Sequence, residues 1–256
     1  MECKNCLTNL KETAKFCDEC GGKVINHRLN FKIVTAEFLE TFISWDNKFF
    51  KTFMHLITKP QVVANGYLDG VRKRYMQPFS YILISLTLYG IYLVFSKEML
   101  DEYINEMILK MPNLDLKSQK TYKKLTYLIL KYNNIYTFST IPLYAFINRI
   151  IFRKRNFIEH SVALLYLLAT IMFLTSISGF LGVLFNVDYE KTSYINAFFM
   201  IFYSMYYYKK MFNLDNATII LKTLFFWLLM LAFYIILFII GVIIVVILLS
   251  LKIITP

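Results

Sequence analysis

The sequence predicts an all-α membrane protein that crosses the bilayer about five times, preceded by a small cysteine-containing module and an amphipathic helix. Three observations lead to this fold class. Of the 256 residues, 57% are hydrophobic and only 18% are charged, whereas a soluble domain carries about 25% charged residues. The last two thirds of the chain contain five long apolar segments, and all four cysteines lie near the N-terminus. A soluble fold would have too little polar surface to cover such an interior.

The first domain, residues 1–24, carries two Cys-x-x-Cys pairs, formed by Cys3 with Cys6 and by Cys17 with Cys20. Each pair can present two thiolates from one tight turn, and two such turns close a tetrahedron around Zn²⁺. Because four thiolates fill the coordination sphere, the spacing predicts a structural zinc ribbon. Metal binding would then supply the folding free energy of this small module. A redox role is the alternative, but no βαβ pattern surrounds the pairs.

The second domain, residues 25–77, is predicted to form an amphipathic helix and a connector. Apolar side chains, many of them aromatic, recur every three or four residues over 31–58, and charged residues occupy the opposite face. This stripe predicts a helix that lies flat on the cytoplasmic leaflet. The alternative is a helix packed on the protein's own core. Lys59 and Pro60 end the stripe, and proline suits the first turn of a new helix.

The connector that follows is basic. Arg72, Lys73 and Arg74 come directly after Gly70 and Val71. Anionic lipid attracts basic runs that lie next to a membrane, so we expect these three side chains to contact lipid headgroups. A specific phosphate ligand is the alternative.

The third domain, residues 78–256, contains the five apolar segments, each predicted to cross the bilayer as a helix. They cover approximately Pro78–Phe95, Ile135–Phe152, Ile158–Phe185, Ser193–Tyr208 and Thr223–Leu251. The last is too long for an upright span, because a core of roughly 30 Å needs about 20 helical residues. It must therefore tilt, bend near Gly241 or project. The polar loop over 96–134 predicts two further helices, the second starting near Ser118.

The arginine positions predict the orientation. With five spans and a cytoplasmic N-terminus, every arginine falls in a cytoplasmic segment. This agrees with the rule that cytoplasmic loops of membrane proteins are enriched in arginine and lysine. The N-terminal 22 residues lack the apolar stretch of a signal peptide, and four clustered thiols indicate a reducing compartment. We therefore expect a cytoplasmic N-terminus.

One pair of side chains near the predicted span ends is a candidate for function. Glu159 and His160 open the third span, and ionisable groups at membrane depth often mark proton or metal sites. The alternative is an interfacial pair that anchors the helix and bonds to Arg149 or Arg153. The run Tyr206–Tyr208 is typical of the aromatic belt at a membrane interface.

Several short motifs occur in a fixed order along the chain. They are Phe16-Cys17 to Cys20-Gly21, Pro60 with Val63, the stretch Tyr67–Tyr75, Pro78-Phe79 and Glu159-His160. This order resembles an uncharacterised bacterial family of zinc-ribbon membrane proteins, a domain-of-unknown-function family. The resemblance implies a multi-pass protein of the bacterial inner membrane and implies no activity. Leu7 departs from the pattern, because the residue after the second cysteine is more usually glycine.

These observations favour a non-enzymatic integral membrane protein of unknown molecular activity, with its zinc ribbon as a structural or docking module for a partner. The alternative is a small permease or channel with a site near Glu159 and His160, and a third hypothesis is an enzyme that acts on lipid headgroups. The expected partners are the lipid bilayer, a cytoplasmic or membrane protein, and further copies of the chain. The net charge of +11 is spread over several loops, so no nucleic acid is expected as a partner.

Overall fold

The structure is a computed structural model that describes residues 2–3, 6–21, 24, 48–111 and 115–250. The chain divides into two compact units, Met1–Asp46 and Asn47–Pro256. The basic connector belongs to the second unit. The predicted division into three domains stays a prediction.

The first unit is built from turns in its described part. Glu2 and Asn9 form an isolated antiparallel bridge. A small buried cluster of Cys3, Leu10 and Cys17 lies at its centre. The described part of this unit buries too few apolar side chains to stabilise a fold by packing alone, and metal binding can supply that stability.

The described part of the second unit is helical. In chain order its helices are α1 (48–58), α2 (Pro60–Leu68), α3 (Pro78–Phe95), α4 (Lys97–Leu109), α5 (Leu116–Lys131), α6 (Asn133–Phe152), α7 (Phe157–Leu184), α8 (Tyr189–Phe212) and α9 (Asn216–Ser250). Helix α7 is central and contacts α2, α3, α6 and α8, while α9 contacts α6 and α8. The five predicted apolar segments are therefore helices, and the last of them is continuous past Gly241.

Three of the described helices are long and apolar enough to cross a membrane by length and composition. They are α3, α7 and the stretch Asn216–Ile240 of α9. Helices α6 and α8 are not among these three, which were identified among the fully described residues alone. The count of five spans therefore stays a prediction.

The described part of the predicted amphipathic helix packs on the protein itself. Phe49, Phe53 and Leu56 of α1 are buried, and the ring centroids of Phe53 and Phe173 lie 4.5 Å apart. The apolar stripe thus faces protein rather than lipid over this stretch, as the alternative of a core-packed helix proposed. Residues 31–47 of the predicted helix lie outside the described residues.

Pro60 separates α1 from α2 and leaves backbone carbonyls without helical donors. A continuous helix would bond the Leu56 carbonyl to the N–H of residue 60, but proline has no N–H. The Tyr203 hydroxyl donates to this carbonyl at 3.2 Å. The Tyr206 hydroxyl donates to the Thr58 carbonyl at 2.7 Å. Two tyrosines of α8 therefore supply hydrogen bonds at the helix break.

Hydrogen bonds between side chains and backbone groups also fix the connector between α2 and α3. The Met76 N–H donates to the Thr52 hydroxyl at 2.9 Å, and the buried Tyr166 hydroxyl donates to the Met76 carbonyl at 2.7 Å. Asn65 of α2 donates through its side chain to the Met211 carbonyl at 2.9 Å. Helices α1, α2, α7 and α8 are thereby joined at one end of the unit.

We expect Tyr203→Phe to destabilise the protein by about 1–3 kcal/mol, because the Leu56 carbonyl then stays buried without a donor. The measurement is unfolding of the purified chain in detergent micelles. Tyr194→Phe is the matched control, because its hydroxyl bonds to Glu190 at the surface. Equal stability losses in the two variants would contradict the role assigned to Tyr203.

Candidate functional site

The four predicted ligands come together in the first unit. The sulfur atoms of Cys3, Cys6, Cys17 and Cys20 all lie within 4.8 Å of one another, and none forms a disulfide. The Cys3 and Cys20 sulfurs are 3.7 Å apart, and those of Cys6 and Cys17 are 3.6 Å apart. A zinc tetrahedron with Zn–S bonds of about 2.3 Å has sulfur–sulfur edges of roughly 3.8 Å. The described cluster therefore fits one tetrahedral metal ion.

The two Cys-x-x-Cys turns share one backbone geometry. In each turn, the residue after the second cysteine donates its N–H to the carbonyl of the first, from Leu7 to Cys3 at 2.8 Å and from Gly21 to Cys17 at 2.9 Å. Both residues adopt the left-handed conformation, with φ of 61° at Leu7 and 68° at Gly21. Glycine takes this conformation at no steric cost, whereas a leucine does not. The first turn therefore carries backbone strain that the second avoids.

The first turn also favours an ionised sulfur. The Cys6 sulfur lies 3.3 Å from the Thr8 hydroxyl, and this hydrogen bond lowers the pKa of the Cys6 thiol. The thiolate is the form that binds metal. Cys3 and Cys17 are buried, while Cys6 and Cys20 are exposed.

Glu159 belongs to a helix cap. The Asn156 side chain accepts from the Glu159 N–H at 2.9 Å, and the Glu159 carboxylate accepts from the Asn156 N–H at 2.7 Å. This reciprocal pair is a capping box at the start of α7. Arg155 donates to Glu159 at 3.2 Å and to Asp69 at 3.1 Å. The cationic partner of Glu159 is thus Arg155, and the predicted contact with Arg149 or Arg153 is corrected.

His160 points to a different environment. Its side chain is fully buried, and its ring centroid lies 5.8 Å from Phe212 and 6.3 Å from Phe152. Neither ring nitrogen has a hydrogen-bond partner among the described residues. Glu159 and His160 are neighbours in sequence, but one caps the helix at the surface and the other fills an aromatic interior.

The side chains of the basic connector lie at the surface. Arg72 covers the ring of Tyr67 at 5.7 Å, and Arg74 covers the ring of Tyr75 at 5.5 Å. Neither arginine, nor Lys73 between them, forms an ion pair within the described ranges. Their charge is therefore available to an anionic surface.

His55 adjoins this connector. Its Nδ1 atom is 2.8 Å from the Tyr75 hydroxyl. Burial lowers the pKa of His55, and the positive charges of Arg74, Lys51 and Lys59 lower it further. The neutral form of the imidazole is therefore favoured, and His55 adds less positive charge to this surface.

Contacts between loops gather the basic residues at one end of the second unit. Asp69 meets Arg155, Asn65 meets Met211, and the Lys154 ammonium lies 3.5 Å from the Phe212 carbonyl. We call this region the basic end. It carries Arg72, Lys73, Arg74, Arg149, Arg153, Lys154, Arg155, Lys209 and Lys210. Sequence reasoning missed Asn156 and Arg155, although the Asn-x-x-Glu spacing is a capping signal.

A family model described as Protein of unknown function (DUF3667) matches residues 46–90. The matched stretch contains α1, α2, the basic connector and the first part of α3. It is less than a fifth of the chain and includes neither the cysteines nor Glu159 and His160. The match agrees with the expected resemblance to a family of unknown function. No curated protein and no solved structure matches the chain significantly.

We expect Leu7→Gly to tighten metal binding about fivefold, because glycine removes about 1 kcal/mol of left-handed backbone strain. The measurement is competition for Zn²⁺ or Co²⁺ against a chromophoric chelator, with the full chain in detergent. Leu7→Ala is the control, since it shortens the exposed side chain but keeps the Cβ atom and the strain. An equal gain from both variants would show that the side chain, not the backbone, weakens the site.

We expect Glu159→Ala to lower the stability by about 1 kcal/mol, because the capping box is lost. His160→Leu should leave the stability unchanged or raise it, because it removes buried nitrogens that have no partner in the described structure. Thermal unfolding in detergent measures both. If His160→Leu lowers the stability as much as Glu159→Ala does, the imidazole has a polar partner, and the separate roles assigned to Glu159 and His160 are wrong.

Proposed function

We propose that this protein is a multi-pass integral membrane protein without catalytic activity, whose four-cysteine module binds structural Zn²⁺ and docks a partner protein. The observation that carries the proposal is the closed arrangement of four sulfur atoms within 4.8 Å of one another. Four thiolates fill the coordination positions of Zn²⁺ and leave none for a substrate or a catalytic water. The metal then stabilises a folded surface rather than a reaction centre.

The exposed apolar surface of α9 supports residence in a membrane. Almost none of the stretch Asn216–Ile240 is buried, and large side chains such as Leu231, Phe238 and Ile239 are at least half exposed. Water does not tolerate an apolar surface of this extent on a monomeric protein. Lipid chains would cover it at no cost.

The directions of the helices support five spans. Helices α3 and α7 are parallel, because Tyr81 meets Thr170 and Tyr92 meets Phe180. Helix α9 also begins at the basic end, where Lys222 contacts Ile151. Three spans that all start on one side require two return crossings between them. Helices α6 and α8, with 20 and 24 residues, are long enough for this role at about 1.5 Å per residue.

The basic end supports a cytoplasmic orientation. It contains every arginine among the described residues, and cytoplasmic loops are enriched in arginine and lysine. Anionic lipid on that leaflet would attract Arg72, Lys73 and Arg74. We propose that the basic end and the N-terminal module face the cytoplasm of a bacterial cell, with the helices in its inner membrane.

A permease or channel with its site at Glu159 and His160 receives less support from the geometry. The Glu159 carboxylate is occupied by the Asn156 N–H and by Arg155. The His160 ring lies among aromatic side chains. The Glu159 carboxylate is therefore engaged by the protein's own donors, and the His160 ring nitrogens are enclosed and do not face a path for solutes.

Docking is tested by photocrosslinking in intact cells from Phe16, whose side chain is 61% exposed beside Cys17. We replace Phe16 with p-benzoylphenylalanine in the full chain and expect one discrete protein adduct. Cys17→Ser should abolish it, because the module cannot fold without its fourth thiolate. The same replacement at the exposed Phe185 is the control and should not give this adduct. An adduct that survives Cys17→Ser, or no adduct from Phe16, would overturn docking by the metal module.

The native cysteines report the orientation in the same cells, because all four lie in the N-terminal module. A membrane-impermeant maleimide applied with a chelator should label them only after the membrane is permeabilised. Lys191→Cys, in the exposed first turn of α8 at the opposite end from the basic end, should be labelled in intact cells. The reverse pattern would place the basic end outside.

A further inference from the structure

A cleft of about 140 Å³ lies between α6, α7, α8 and α9. Most of its wall is apolar and includes Leu168, Ile171, Met205 and Phe226. A cavity of about 150 Å³ holds a six-carbon ring, so the cleft has room for a short segment of an alkyl chain. The exposed apolar face of α9 continues from the cleft, beginning with Leu228. A longer chain could therefore run from the cleft along this helix.

One end of the cleft is polar and positively charged. The Asn148 amide donates to the Tyr208 hydroxyl at 2.8 Å. Beside them, the Lys222 ammonium donates to the Ile151 carbonyl at 2.5 Å and lies 5.3 Å from the ring of Phe152. Lys222 reaches the cleft from α9, so the cleft is apolar along its length and cationic at its end.

Lys222 also lines a second depression, together with Arg153 and Thr218. Arg153 in turn borders a third depression with Arg149 and Lys154. Through Lys222, the apolar cleft therefore adjoins a row of cations on the basic end.

These cations have no carboxylate partners in the described part of the chain. Arg149, Arg153, Lys154 and Lys222 form no ion pair there. The nearby carboxylate of Glu159 is bound to Arg155 and to the helix cap. Asp215 at the start of α9 accepts from the Thr218 N–H at 3.0 Å. Positive charge beside the cleft is thus left uncompensated by the protein's own acidic groups.

We propose that this cleft binds an anionic phospholipid, with one acyl chain between α7 and α9 and the phosphate against Arg153 and Lys222. Charge complementarity selects this occupant. A zwitterionic lipid would leave the row of cations unneutralised, and a free phosphate would leave the apolar wall empty. Each basic side chain near a membrane contributes about 1 kcal/mol toward anionic lipid, or about fivefold in affinity. The site lies entirely in the second unit and does not depend on the metal module.

Trp227 lines the cleft and provides a native fluorescent reporter. The sequence contains one other tryptophan, Trp45, so Trp45→Phe leaves a single reporter in the full chain. We reconstitute this variant in phosphatidylcholine vesicles that contain a small fraction of phosphatidylglycerol with brominated acyl chains, which quench tryptophan on contact. The reciprocal vesicles contain brominated phosphatidylcholine in unbrominated phosphatidylglycerol. We expect brominated phosphatidylglycerol to quench Trp227 at a mole fraction several-fold lower than brominated phosphatidylcholine does.

Charge-removing variants locate the headgroup. Lys222→Met and Arg153→Gln should each reduce the preference for phosphatidylglycerol about fivefold, and Lys222→Arg should restore it. Lys210→Gln removes one exposed charge from the basic end outside the lining of the cleft and should leave the preference unchanged. If Lys210→Gln reduces the preference as much as Arg153→Gln does, the effect is general surface attraction and the proposal fails.

A filling variant locates the acyl chain. Leu168→Phe narrows the cleft and keeps every cation. It should reduce quenching of Trp227 by brominated phosphatidylglycerol. An unfolding transition in detergent confirms that the variant is folded. If Leu168→Phe does not fold, Arg153→Gln still tests the proposal, because Arg153 lies at the surface. Equal quenching by the two brominated lipids in the parent chain would overturn the proposal, because the cleft would then bind alkyl chains without recognising a headgroup.

Discussion

A backbone carbonyl that loses its helical donor in an apolar setting must find another, and this constraint organises the second unit. Pro60 breaks the helical ladder between α1 and α2, and Tyr203 and Tyr206 of α8 donate to the carbonyls on its N-terminal side. The connector obeys the same constraint, since Met76 is bonded at both its N–H and its carbonyl. Because a buried carbonyl or N–H group that lacks a partner costs free energy, these bonds hold α1 and α2 against α7 and α8. The positions of the basic side chains follow from that docking.

Local sequence signals predict the helices well, but they do not predict which groups on other helices the side chains contact. The segment Pro78–Phe95 was predicted with the bounds that α3 has, because an apolar run between Pro78 and a polar loop is a local pattern. The tyrosines of α8 were interpreted as an interfacial belt, whereas Tyr207 is fully buried and donates to the Ala163 carbonyl at 2.9 Å. No periodicity identifies which distant carbonyl needs a donor. The partners of these tyrosines therefore appear only when the helices are in place.

The two candidate sites also differ in how far the sequence alone predicts them. The cysteine cluster could be predicted, because both pairs are local turns and four sulfurs at tetrahedral spacing need little else from the fold. Even the unusual Leu7 was visible in sequence, although its left-handed backbone was not. The cleft that ends at Lys222 draws residues from four helices, and its lysine lies at the edge of an apolar segment without any motif. Only the helix packing brings that charge to Arg153.

Helix α9 is held by the bundle over part of its length. Ile219 and Met230 are buried, whereas the apolar side chains from Leu231 to Ile240 are largely exposed. At about 1.5 Å per residue its 35 residues extend about 52 Å, well beyond a hydrocarbon core of roughly 30 Å. If α9 spans a bilayer as we propose, the part beyond Met230 must tilt or bend to fit the hydrocarbon core, so its angle depends on bilayer thickness. A thicker or thinner membrane would then change how α9 packs on α6 and α8.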